Sequence, residues 1–91
     1  MSLCVHVRVS GMVQGVFYRA FARDKAKELG INGWVRNIPG GGVEAVLEGE
    51  RQRIGELLAM MEKGPASSMV SGIELSEIKC KGYEDFKIIY E

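Results

Sequence analysis

The nine residues Gly11-Met12-Val13-Gln14-Gly15-Val16-Phe17-Tyr18-Arg19 bring together the residue types that an anion cradle needs. Two glycines allow backbone conformations that turn successive N–H groups to one side. Tyr18, Phe21, Ala22, Ala26 and Leu29 recur at helical spacing and predict a helix directly after the loop. The first N–H groups of that helix lack intrahelical partners and sit at the positive end of its dipole. Arg19 falls in the first turn, where a cation opposes the dipole and a sequence chosen for stability alone would carry Asp or Glu. A bound anion would offset that repulsion. The competing reading is a solvated arginine after ordinary turn glycines; the helix-start effect is under about 1 kcal/mol at an exposed site, so spacing alone leaves both open.

Asn37 is the second candidate, closing the run Gly33-Trp34-Val35-Arg36-Asn37. Asparagine just ahead of Pro39-Gly40 is also ordinary turn chemistry. Its place in the chain adds weight. The predicted helix starts beside the C-terminal end of the first strand, and the second strand runs parallel to the first with the third between them. Arg19 and Asn37 then lie along the same edge of the sheet and can converge. A different run, Gly40-Gly41-Gly42-Val43-Glu44-Ala45, satisfies the dinucleotide pattern G-x-G-x-x-[GA] as written. Its context rejects it, because these residues open an alternating strand in a hairpin and not a helix. No Gly-Lys-Ser/Thr and no RRM aromatic signature occurs.

The elements that must hold these residues follow from periodicity. Val5, Val7 and Val9 alternate with Cys4, His6 and Arg8, a strand that stops at Ser10-Gly11. Gly30 suits the position just past the end of the first helix. A second strand over about 31–38 leads through Pro39-Gly40-Gly41-Gly42 into a third over 43–48, joined as a hairpin. Ile54, Leu57, Leu58 and Met61 form the stripe of a second helix, ended by Gly64-Pro65. A looser fourth strand spans about 70–80, and Phe86, Ile88 and Tyr90 mark a short fifth. The economical packing is a ferredoxin-like βαββαβ sandwich of the α+β class. It has an antiparallel sheet, both helices on one face and a short extra C-terminal strand. That architecture hosts many functions, so the sites must decide.

The chain has 91 residues, 46% hydrophobic and 26% charged, which describes one domain over residues 1–91. Hydrophobic runs fall well short of the roughly 20 residues of a bilayer span, and no basic-then-apolar signal core opens the sequence. The expected species is a cytoplasmic monomer with no membrane partner. Twelve basic and twelve acidic residues balance, which argues against nucleic acid as a partner. The balance is uneven along the chain. Residues 1–37 carry six basic side chains against two acidic, and residues 38–91 six against ten, so an anion site belongs in the first third. With one histidine, His6, and two distant cysteines, there is no zinc set. His6 is expected at an exposed or edge position and not as a base. Cys4 and Cys80 could meet if the start of strand one lies near the end of strand four; free thiols are nonetheless expected in a cytoplasmic protein.

The motifs themselves resemble those of the acylphosphatase family. The first signature reads Gly11-x-Val13-Gln14-Gly15-Val16-x-Tyr18-Arg19, and the second runs from Gly33-Trp34-Val35-Arg36-Asn37 through Gly41-x-Val43 to Gly49. Gly64-Pro65 and Phe86-Lys87-Ile88 also fit the layout. The resemblance implies metal-free hydrolysis of a small-molecule acyl phosphate to carboxylate and inorganic phosphate, with no cofactor. It implies that Arg19 and the backbone N–H groups of Gln14, Gly15, Val16, Phe17, Tyr18 and Arg19 bind the phosphoryl group. Asn37 is implied as the residue that holds the attacking water. A non-catalytic anion-binding domain is the alternative.

Overall fold

The alternation of valines sets the first strand: Val5, Val7 and Val9 are buried in the core while His6 and Arg8 face the other way. The computed structural model describes residues 2–90. Its elements are β1 (Ser2–Met12), α1 (Tyr18–Glu28), β2 (Asn32–Asn37), β3 (Val43–Glu50), α2 (Arg51–Lys63), β4 (Met69–Glu77) and β5 (Phe86–Ile89). β1 runs past Ser10-Gly11 because a register shift there lets Gly11 and Met12 keep pairing with β4. Gly11 has φ +123°, and a Cβ on it would meet the Met69 carbonyl oxygen, so the register depends on glycine. Helix α1 ends as the sequence predicts. Gly30 takes φ +70°, its N–H bonds Lys27 O at 3.3 Å, and Ile31 N–H bonds Ala26 O at 2.8 Å, the two bonds of a Schellman motif.

The five strands form one sheet in the order β4-β1-β3-β2-β5. β1, β3, β2 and β4 pair antiparallel, with β3 between β1 and β2. The expected extra C-terminal strand, β5, pairs parallel to β2 at the edge opposite β4, so the antiparallel sheet of β1 to β4 becomes a mixed one. The reason is the connection: leaving β4, the chain crosses the whole sheet and arrives at β2 from the same end at which β2 begins. The helices cover one face. Ala22 and Ala26 of α1 and Ile54, Leu57 and Met61 of α2 pack with Val7, Val35, Ala45 and Leu47 into one core. At roughly 25 cal/mol per Å² of apolar surface removed from water, this burial is the main stabilising term.

The crossing segment, residues 78–85, is fastened along the face away from the helices. Ile78 N–H donates to Cys4 O at 2.9 Å. Gly82 and Tyr83 N–H donate to the Glu48 carboxylate, Asn32 Nδ2 donates to Tyr83 O, and Trp34 Nε1 donates to Tyr83 Oη. Cys4 and Cys80 are joined as a disulfide with their Cα atoms 5.3 Å apart, which overturns the expectation of free thiols. That expectation rested on average compartment chemistry and could not see the strap that carries Cys80 over β1. β4 accordingly ends at Glu77, short of Cys80. His6 also departs from its expected exposed or edge place. It is half-buried on the interior strand β1, and its Nε2 lies 2.6 Å from Glu44 Oε2.

Candidate active site

Between β1 and α1 the loop has few internal ties of its own. The backbone N–H groups of Gln14, Gly15, Val16 and Phe17 donate to no described residue. The next three, on Tyr18, Arg19 and Ala20, are the unpaired N–H groups of the first turn of α1. Seven successive donors are thus available at the positive end of a helix whose first turn contains no acidic residue and no side-chain cap. Two residues bend the loop into this shape: Gly15 has φ +74° and Phe17 has φ +62°. A Cβ at Gly15 would meet nothing within 4 Å, so glycine serves the backbone conformation there and not a close approach.

Gln14 and Tyr18 are the loop's anchors. The Gln14 amide donates to Ile38 O and to Gly42 O, both at 2.8 Å, and ties the loop to the β2–β3 turn. Tyr18 is fully buried in the core, and its hydroxyl donates to Met61 O at 2.7 Å near the end of α2. Burial pushes its phenol well above the ordinary range. The side chains of Gln14 and Tyr18 are thus committed to hydrogen bonds within the protein, while their N–H groups donate to no described residue.

Arg19 and Asn37 converge as the topology requires. They line one cleft of about 360 Å³ together with Ile89 and Tyr90. Asn37 points to the same side of β2 as the buried Val35, beneath the first turn of α1. Its Oδ1 is buried and accepts no hydrogen bond from any described residue. Among the described residues no carboxylate pairs with Arg19; its guanidinium carbon instead lies 5.0 Å from the Tyr90 ring centre. Tyr90 is a site residue that pattern reading missed. Alternation marked it as the end of β5, and nothing in that signal connects it to Arg19. A larger hollow of about 590 Å³ lies near Ser2 and Gly30, but Glu28, Glu48 and Glu50 line it, which is the wrong charge for an anion.

Two helices over one face of this five-stranded sheet make a ferredoxin-like α+β domain, and Arg19 and Asn37 meet in one cleft at the N-terminus of α1. The acylphosphatase family model matches residues 5–88. An acylphosphatase from Methanothrix thermoacetophila is 63% identical over 90 residues, covering 99% of this chain and 100% of its own length. The solved structure of an acylphosphatase from Coxiella burnetii matches with a TM-score of 0.93 at 44% identity, over 97% of this chain and 93% of that one. The crystal structure of acylphosphatase from Bacillus subtilis matches with a TM-score of 0.94 at 31% identity, over 97% and 99%. This chain belongs to the acylphosphatase family of enzymes.

Proposed function

We propose that the cleft between Arg19 and Asn37 hydrolyses the carboxyl–phosphate bond of acyl phosphates, with the phosphoryl group seated on the loop 14–19. The observation that carries the assignment of roles is that Arg19 and Asn37 line one cleft beside a loop whose N–H groups have no acceptor among the described residues. The free N–H groups of residues 14–19 and the guanidinium of Arg19 contact the non-bridging phosphoryl oxygens. A guanidinium fork spans two of them at once, which an ammonium cannot do. Asn37 Oδ1 accepts a hydrogen bond from a water molecule and aims its lone pair at phosphorus. The water oxygen forms the new P–O bond as the P–O bond to the acyl oxygen breaks. The carboxylate leaves with that electron pair, and the water proton passes to a phosphate oxygen. Acyl phosphates have a good leaving group and a loose transition state, so positioning and charge stabilisation supply the catalysis. The residues named in this mechanism include no strong base.

Hydrolysis of benzoyl phosphate in excess EDTA, with Arg19→Ala alongside, tests this reading. Turnover that survives the chelator and disappears in Arg19→Ala is the expected result. Absence of turnover in the unaltered chain, with inorganic phosphate still bound, would instead assign it to anion binding without catalysis.

A further inference from the structure

Phe17 combines two unfavourable features. It is the one non-glycine residue with positive φ among the described residues, and its side chain is 85% exposed. A left-handed conformation at a bulky residue is strained, and an exposed ring recovers little of that strain through packing. Glycine or asparagine would give the same loop backbone with less strain. Tyr90 is 72% exposed. One face of its ring is met by Arg19, and it borders both the cleft that holds Asn37 and an adjoining pocket of about 250 Å³ that Phe17 lines. Val13 and Ile88 extend the apolar wall of that pocket, and Arg19 lies between the two hollows. Gly15, Tyr18 and Ala20 line that pocket as well, so a phosphate held by their N–H groups is flanked by the exposed rings of Phe17 and Tyr90, with Val13 and Ile88 as apolar neighbours.

We propose that Phe17, Tyr90 and the wall between them form a subsite for the acyl group. The enzyme then selects acyl phosphates with apolar acyl groups larger than acetyl. This rests on the hydrolysis proposed above. The ligand chemistry is matched at both ends, with a dianionic head on Arg19 and the loop, and an apolar tail against the rings. Small exposed aromatic surfaces suit a tail that is only partly withdrawn from water, so selection is graded by size.

The test is kcat/KM for acetyl, butyryl and hexanoyl phosphates, whose leaving carboxylates have nearly the same acidity, so that differences report binding of the tail. At about 0.8 kcal/mol per fully buried methylene, or about fourfold, a partly covering subsite gives roughly twofold per methylene. The expected result is a rise of at least about tenfold from acetyl to hexanoyl. In Phe17→Asn, which keeps a residue that tolerates the left-handed conformation, that slope collapses; in Phe17→Tyr it returns. The slope is a ratio and is insensitive to any general loss of turnover. A flat series in the unaltered enzyme, or a slope that persists in Phe17→Asn, overturns the subsite and leaves hydrolysis standing. Failure to hydrolyse any member overturns hydrolysis and the subsite together.

Discussion

The guanidinium carbon of Arg19 lies 5.0 Å from the centre of the Tyr90 ring, so the cation in the first turn of α1 rests on an aromatic face and, among the described residues, against no carboxylate. The contact is attractive by about 0.5–1 kcal/mol at an exposed site and leaves the guanidinium's charge unneutralised. An ion pair in its place would compete with phosphate. The arrangement holds a charged group against an opposing helix dipole while keeping it available.

Arg19→Lys should weaken phosphate binding and turnover together, each by about tenfold or more, because one point charge replaces a fork that bonds two oxygens. Inhibition by inorganic phosphate and kcat/KM for an acyl phosphate read the two effects. Unchanged activity would sink the assignment of Arg19.

Asn37→Ala should separate the same two quantities. Phosphate binding stays within a few-fold while kcat falls on the order of a hundredfold, by analogy with the loss of one positioned polar group in other active sites. Equal losses in both would show that Asn37 supports the phosphate site and does not hold water.

Gln14→Ala should lower both stability and kcat, because two hydrogen bonds to the β2–β3 turn disappear and the Ile38 and Gly42 carbonyls lose a donor. A loss of about 1–2 kcal/mol in urea unfolding is expected, with the carbonyls regaining part of it from water. A variant of full stability and full activity would mean that the tether does not position the loop.

Stability should fall in acid through Glu44. Its carboxyl accepts hydrogen bonds from His6 and Arg36, and Arg8 stands directly opposite on β1. The His6 bond foremost, and the Arg36 pairing after burial has opposed it, hold the Glu44 pKa below its ordinary 4.5. A folded pKa below the unfolded one means that the unfolded chain takes up the proton first as pH falls. The contribution is therefore complete above about 4.5 and is lost as pH drops through the lower folded value. Glu44→Gln should cost about 1 kcal/mol at pH 7, and the difference should close as the pH falls through the lowered folded-state value. A gap that persists in acid contradicts the linkage.

Reduction of Cys4–Cys80 should destabilise strongly. The two residues are 76 positions apart, and a loop of that size is worth about 4 kcal/mol on the chain-entropy account. The unreduced, denatured protein should titrate with no free thiol, and dithiothreitol should lower the urea midpoint. Two reactive thiols per chain before reduction would rule out the bond.

Periodicity was enough to locate all seven elements, because strands and helices alternate burial at periods of two and 3.6 wherever one face meets a core. Val5, Val7 and Val9, the stripe Ile54–Leu57–Met61 and the stop at Gly30 are all local signals of this kind. The convergence of Arg19 and Asn37 was legible for the same reason, since the order of elements places both at one edge of the sheet. Tertiary structure alone decided the rest. The parallel pairing of β5, the Cys4–Cys80 bond and the meeting of Tyr90 with Arg19 all depend on where residues 78–85 travel. That strap has no repeating pattern of burial. Its path follows from fastenings to Cys4, Glu48, Asn32 and Trp34, residues far from it along the chain, and contacts between distant segments leave no period in either one.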